Sequence, residues 1–210
     1  MLFKNRFDAG EQLAGKLKNY KDSIILAVPR GGLEIALPIA KKINGAVEII
    51  VARKIATPQD PEAGIGAVMA DGTAVYNELY VEQLGLLEED LKIMEKEATD
   101  EAARRDRIYR TGKKVPLKGK VVILVDDGLA TGYTMLAAIK SVKKSKPEKI
   151  IVSVPVAAHN SYETVKRECD EIFCLHVSES WAFAVGSFYE EFPQLEDEQV
   201  IKLLRKANEK

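Results

Sequence analysis

Residues 121–134 read VVILVDDGLATGYT. Five aliphatic residues, Val121 to Val125, run straight into two adjacent carboxylates, Asp126 and Asp127. A turn of small residues follows, Gly128-Leu129-Ala130-Thr131-Gly132, and a helical pattern begins at Tyr133. An unbroken apolar run suits a strand buried on both faces, as in a parallel sheet covered by helices. Ligands of such sheets bind outside the carboxyl ends of the strands, which is where Asp126 and Asp127 fall. Beyond them, the amides of a Gly/Thr-rich turn opening a helix form an anion site. One segment thus offers ligands for hydroxyls or a metal beside a phosphate cradle, a ribose apart.

Working outward, the flanking sequence alternates strands with helices. Asp8-Ala9-Gly10-Glu11 has the form of a capping box, with Asp8 as N-cap and Glu11 at N3, ahead of a helix through Leu13 and Leu17. Ser23 to Val28 is a buried strand ending at Pro29-Arg30-Gly31-Gly32, and Leu33 to Ile43 returns as a helix made irregular by Pro38. Val47 to Ala52 is a second strand, ending in Arg53-Lys54. Ile55 to Ile65 (IATPQDPEAGI) is a long loop of the kind that serves as a lid. Gly66 to Tyr76 reads as a hairpin around a type I′ pair, Asp71-Gly72.

Glu88 to Tyr109 is a long charged helix with Leu91, Met94 and Ala98 on one face. A solvated surface is the favoured reading of its charges, ahead of anion binding by Arg104, Arg105 and Arg107. Past the opening segment come a helix over Met135 to Val142, a strand over Lys149 to Pro155, a helix over Ser161 to Glu168 and a strand over Glu171 to Val177. An irregular aromatic stretch, Trp181 to Phe192, leads into a terminal amphipathic helix from Asp197 to Lys206. The alternation predicts a right-handed parallel α/β sheet carrying a hairpin and long-helix insertion.

Composition fits this. The chain has 210 residues, 46% hydrophobic and 30% charged, with formal net charge -1. That suffices for one α/β domain with a real core and argues against broad nucleic-acid or membrane-surface binding. No apolar run reaches transmembrane length, and the start MLFKNRFDAG lacks a signal-peptide core. Cys169 and Cys174 make no disulfide framework, so a reducing cytoplasm is the default. With His176 they fall one ligand short of a zinc site, and buried apolar cysteines are expected instead.

The strand, the two acids and ATGYT resemble the phosphoribosyl pyrophosphate (PRPP) signature of type I phosphoribosyltransferases, matched here from Val122 to Thr134. The order PRGG, RKIATPQDPEAGIGAV, VDDGLATGYT is similar to a group of phosphoribosyltransferases of unassigned substrate. The resemblance implies an α/β, parallel-sheet type I phosphoribosyltransferase fold over residues 1–210. It implies an insertion at about 66–112 and a small C-terminal hood at about 178–210.

It also implies roles. Asp126 and Asp127 would bind the ribose hydroxyls, directly or through a Mg²⁺-bound water, making Mg²⁺ the expected cofactor. Ala130, Thr131, Gly132, Tyr133 and Thr134 would hold the 5-phosphate. Pro29, Arg30, Gly31 and Gly32 would form the pyrophosphate loop, with a cis peptide expected at Pro29-Arg30. Lys54, favoured over Arg53, would sit at the base of the catalytic lid. Trp181, Phe183 and Val185 would form the acceptor hood, although aromatics packed beneath the last helix explain each equally well. Gly128 departs from the family's branched aliphatic and is expected to loosen the turn after the acids.

The implied activity is a Mg²⁺-dependent pentosyltransferase of nucleotide metabolism, moving phosphoribosyl from PRPP to an acceptor, a nucleobase in the favoured case. The strand IIVSVPVAAHN lacks the lysine that reads a 6-oxopurine, with His159 the available substitute. The competing reading is a PRPP- or nucleotide-sensing regulator on the same fold, acting through a basic face at Arg104, Arg105 and Arg107. Expected partners are PRPP and a small-molecule acceptor, with neither membrane nor nucleic acid. A two-fold homodimer is the default assembly.

Overall fold

A computed structural model describes residues 1–57, 64–110, 112 and 114–208. Its centre is a five-stranded, all-parallel sheet of order β2-β1-β6-β7-β8. The strands are β1 (Ile24–Ala27), β2 (Ala46–Ile49), β6 (Val121–Val125), β7 (Lys149–Ala158) and β8 (Glu171–Ser178). Their apolar runs have the double burial expected of parallel strands. Ile25, Ala27, Ile123, Val125 and Ile151 face one core, and Ile24, Leu26, Val122, Leu124, Ile150 and Val152 face the other. Against the first face lie α1 (Arg6–Lys16), α2 (Gly32–Ile43) and α7 (Asp197–Asn208). Against the second lie α5 (Tyr133–Lys143) and α6 (His159–Lys166).

From β1 the chain crosses to β2 on one side, and from β6 to β7 and β8 on the other. The order therefore reverses between β1 and β6, the point at which open α/β sheets bind ligands. Both Pro29-Arg30-Gly31-Gly32 and Asp126-Asp127 leave the sheet there. They are tied together by the Val28 amide, which donates to the Val125 carbonyl at 2.8 Å.

The second sheet is antiparallel, of order β3-β4-β5, from β3 (Ala52–Ala56), β4 (Gly64–Met69) and β5 (Ala74–Tyr76). This corrects the expected strand Val47 to Ala52. The main-sheet strand stops at Ile49, the Ile50 amide still reaches the Ala27 carbonyl at 3.0 Å, and from Ala52 the chain pairs with β4. Arg53 and Lys54 thus lie inside β3 and are exposed, not at the end of a central strand. The β4–β5 hairpin turns as expected at Asp71-Gly72, but not in type I′ form. Gly72 alone of the pair has positive φ, +79°, because the Asp71 carboxylate holds the turn by accepting from the Thr73 amide (2.9 Å) and hydroxyl (2.6 Å).

After a short α3 (Glu78–Gln83), the charged helix α4 (Glu88–Tyr109) covers this sheet. Met94 and Ala98 pack there on Ile55, Ile65 and Val68. Arg104 and Arg105 both donate to Glu101, at 2.7 Å each through Nε. No helix among the described residues is long and apolar enough to cross a membrane.

Helix α1 starts earlier than the capping box suggested. Asn5 is the N-cap, its side chain accepting from the Asp8 amide at 3.0 Å, while Asp8 at N3 accepts from the Lys4 amide at 3.0 Å. Arg6 thereby becomes the first helical residue. Gly10 lets α1 lie directly on α2, since a Cβ there would meet Pro38 Cγ at 2.5 Å and the Ile35 carbonyl oxygen at 2.6 Å. The close crossing carries Arg6 to the first turn of α2 and the end of β6.

Candidate active site

The turn after β6 is anchored from β7. The Leu129 amide donates to the Val156 carbonyl and the Ala158 amide to the Leu129 carbonyl, both at 2.9 Å. Ser161 Oγ donates to the Ala130 carbonyl at 2.5 Å. These bonds explain why β7 continues past Pro155 to Ala158, three residues beyond its expected end. Gly132, in the left-handed region at φ 79°, then turns the chain into α5. Among the described residues no acceptor takes the amides of Ala130, Thr131, Gly132, Tyr133 or Thr134. Ala130 and Thr131 are exposed. Open amides at the positive end of a helix dipole can hold an anion of phosphate size.

The acid pair sits at the edge of this cradle. Asp126 Oδ1 accepts from the Asp127 amide at 2.8 Å, and Asp127 Oδ2 accepts from Arg6 Nε at 2.7 Å. Burial, reinforced by the neighbouring Asp127 charge, pushes the Asp126 carboxyl well above the usual carboxylate range. Burial also raises Asp127, with the Arg6 guanidinium pulling the other way. Among the described residues no cation pairs with Asp126, so it is set up to gain from a metal or hydroxyl donors.

The pyrophosphate-loop candidate faces the pair directly. Pro29-Arg30 is cis, as expected from its position. Gly31 lies against Asp127 so closely that a Cβ would come within 2.0 Å of Oδ2, and at Gly32 one would come within 2.6 Å of the Val125 carbonyl oxygen. Arg30 Nη1 lies 3.8 Å from Asp197 Oδ1 and 3.9 Å from Glu196 Oε2 at the start of α7.

Arg6 is the site residue that sequence reasoning missed. It is 6% exposed. Its Nη1 donates to the Pro193 carbonyl at 2.7 Å and lies 3.4 Å from Glu34 Oε2, and its Cζ stacks 3.7 Å from the Phe192 ring centroid. Asp127 is held a second time through its carbonyl, which accepts from Tyr189 Oη at 2.7 Å. Both clamps come from the chain's two ends zipped together. The Phe188 carbonyl accepts from the Leu2 and Phe3 amides, and the Glu190 amide donates to the Phe3 carbonyl at 2.9 Å. Asn5 followed by Asp8 at N3 was the available signal for a helix beginning at Arg6.

A cavity of about 500 Å³ opens between these parts, lined by Arg6, Arg30, Gly31, Asp127, Val185, Phe192, Gln194 and Leu195. Of the expected hood residues, Val185 lines it. Phe183 instead packs on Phe188, with centroids 5.3 Å apart, and Trp181 is 98% exposed. Gly128 is where Val185 enters, because a Cβ there would lie 2.8 Å from both Val185 methyls. The glycine thus makes room for the hood and has no positive φ. His159 pairs with Glu179 at 2.9 Å on the surface. Lys54 lies away from the cavity on β3, its stem against Gly64, and residues 58–63 of the expected lid lie outside the described residues. Cys169 and Cys174 are half-buried, their thiols pushed up to about 11 by burial, as inert cysteines should be.

Comparison with known proteins gives the family and the fold. The phosphoribosyl transferase domain family matches residues 3–192. A Mycobacterium tuberculosis protein provisionally named a phosphoribosyl transferase is 33% identical over 210 residues, covering 99% of this chain and 47% of that protein. The chain spans about half the length of the curated relatives it matches. The crystal structure of TT1426 from Thermus thermophilus superimposes with a TM-score of 0.80 at 32% identity, over 98% of this chain and 99% of that one. A purine phosphoribosyltransferase from Pyrococcus horikoshii shares the fold, with a TM-score of 0.51 at 21% identity, over 93% of this chain and 97% of that one.

Proposed function

Because the chain belongs to the phosphoribosyl transferase domain family, we propose that it transfers a 5-phosphoribosyl group from PRPP to an acceptor, a nucleobase in the favoured case, and releases pyrophosphate. One observation carries the reading. The acid pair lies between an open amide cradle on one side and the cis Pro29-Arg30 loop on the other, touching that loop at Gly31. A ribose with a phosphate at one end and a pyrophosphate at the other has this layout.

In this reading Ala130 to Thr134 bind the 5-phosphate through their amides, with the Thr131 and Thr134 hydroxyls available beside them. Asp126 and Asp127 accept hydrogen bonds from the ribose hydroxyls and fix the sugar. Arg30, with the amides of the 29–32 loop, takes the charge that builds on the departing pyrophosphate; its acidic partners at 3.8 and 3.9 Å leave its forked donors free to turn to a phosphate. Pyrophosphate leaves before the acceptor closes on the anomeric carbon, so no covalent nucleophile is needed. The acceptor enters the cavity beside Val185 and Phe192. Lys54 and the segment following it would close over the leaving group and keep water from the ribosyl cation.

Mg²⁺ fits this donor set as an ion shared with substrate. No group of three or more metal-binding side chains occurs among the described residues, and magnesium commonly takes one or two carboxylates together with substrate oxygens and water. Asp126 and Asp127 would hold it, directly or through water. When bound, it neutralises charge on the pyrophosphate oxygens. The free cysteines are in keeping with a cytoplasmic setting.

The test is calorimetric titration of Mg²⁺ and PRPP into the wild-type protein and Asp127→Asn. Binding that Asp127→Asn sharply weakens, with the fold intact by circular dichroism, is expected. Equal binding by both would remove the acid pair from the site.

A further inference from the structure

Four groups converge on Arg6: Asp127 in the ribose site, Glu34 on α2, and Phe192 and the Pro193 carbonyl in the C-terminal segment. A guanidinium is the one side chain that can satisfy them together, being planar, permanently charged and forked. Its Nε takes the carboxylate, its Nη1 takes the carbonyl, and its face takes the ring. With Nε and Nη1 engaged and 6% of the residue exposed, Arg6 is held by the protein around it. Its contacts run to Asp127 and to the segment that lines the cavity at Phe192.

We propose that Arg6 is a positioning residue that fixes the Asp127 carboxylate for the ribose and seats the 192–193 segment over the cavity as one unit. The inference rests on the PRPP reading of the site. It predicts that PRPP affinity and the roof are coupled through a residue 121 positions away in sequence from the acid it holds. The geometry also sets what a lysine can do in its place. An ammonium could reach Asp127 or Pro193, but it has no planar face for Phe192 and no second fork.

The experiment is PRPP binding by calorimetry to wild type, Arg6→Ala, Arg6→Lys and Phe192→Leu, each first checked by thermal unfolding. Arg6→Ala is expected to weaken PRPP at least about thirtyfold, since it strips the partner from a partly buried carboxylate. Guanidinium chloride at low millimolar concentration should restore a substantial part of that loss, while ammonium chloride at equal ionic strength should not. Arg6→Lys should recover only part of the affinity. Phe192→Leu, which leaves the Asp127 bond in place, should weaken PRPP about threefold. Folded Arg6→Ala that binds PRPP like wild type, or a loss of affinity that guanidinium and ammonium rescue equally, would overturn the assignment. Should Arg6→Ala fail to fold, Phe192→Leu indistinguishable from wild type in PRPP affinity would overturn it. A wild-type protein that binds no PRPP refutes the proposed function itself, a separate outcome.

Discussion

Gly31→Ala isolates the contact between the pyrophosphate-loop candidate and the acid pair. The Gly31 backbone sits at φ −63°, ψ −35°, which alanine adopts freely, so the substitution adds a methyl group without backbone strain. That methyl carbon would lie 2.0 Å from Asp127 Oδ2 and 2.6 Å from Arg6 Nε, against the 3.4 Å at which ordinary contact begins. The carboxylate must retreat by about 1.4 Å, and its 2.7 Å bond to Arg6 cannot survive the move. Breaking a buried ion pair costs about 3–5 kcal/mol. Asp127 keeps 19% side-chain exposure, which brings the expected loss to about 2–3 kcal/mol, or roughly 5–10 °C in Tm for a chain of this size. PRPP affinity should fall at least about thirtyfold, because the carboxylate proposed to hold the ribose is displaced. Gly15→Ala is the control, with nothing within 4 Å of its Cβ, and should leave binding unchanged and stability equal or slightly higher. Scanning calorimetry and PRPP titration on the two variants decide the matter. Gly31→Ala with wild-type Tm and wild-type PRPP affinity would refute the geometry.

Asp126→Asn should stabilise the protein while impairing it. The amide oxygen can still accept from the Asp127 amide, and the cost of holding a charge beside another carboxylate disappears at neutral pH. The sign follows from the raised pKa. Wild type carries no penalty below the unfolded value of 3.8, and accumulates one as pH rises. The Tm gap in metal-free buffer should therefore grow from near zero in acid toward neutrality, and a variant less stable than wild type at pH 7 would contradict it. Gly128→Val should cost about 1–3 kcal/mol by forcing Val185 and Val156 aside, and Val185→Ala in the same chain should recover much of it, as unfolding midpoints in urea would show. Glu101, held at about 2 by Arg104 and Arg105, contributes stability above its unfolded value of 4.5 that is lost as pH falls toward about 2. With solvent screening, Glu101→Gln should cost about 1 kcal/mol at pH 7 and nothing near pH 2, by thermal melts across that range.

The parts of the site that lie along one stretch of chain were readable in advance. An apolar run ending in two acids and a glycine-bearing turn fixes strand end, turn and helix start by local rules. The Pro29-Arg30-Gly31-Gly32 turn is legible in the same way, because a strand end is itself a local feature. What escaped are contacts that no local pattern records. Arg6 resembles a solvated charge near the N-terminus until Asn5 is recognised as the cap and Gly10 admits Pro38. The passage from β2 to β3 is hidden because VEIIVA is evenly apolar, Val51 being buried between the sheets. Tyr109, which donates to Asp197 Oδ1 at 2.5 Å, ties the insertion helix to the acids beside Arg30. That link joins residues 88 positions apart. The aromatic hood was half legible: the composition marked the segment, yet Val185, Phe192 and Gln194 reach the cavity while Trp181 and Phe183 do not.

The central claim is tested most directly by measuring pyrophosphate released from PRPP, with Mg²⁺ present, across a panel of purines, pyrimidines and their precursors. The account predicts release with at least one acceptor, abolished in Asp127→Asn. Bound PRPP with no release for any acceptor would contradict it and identify a sensor on the same fold.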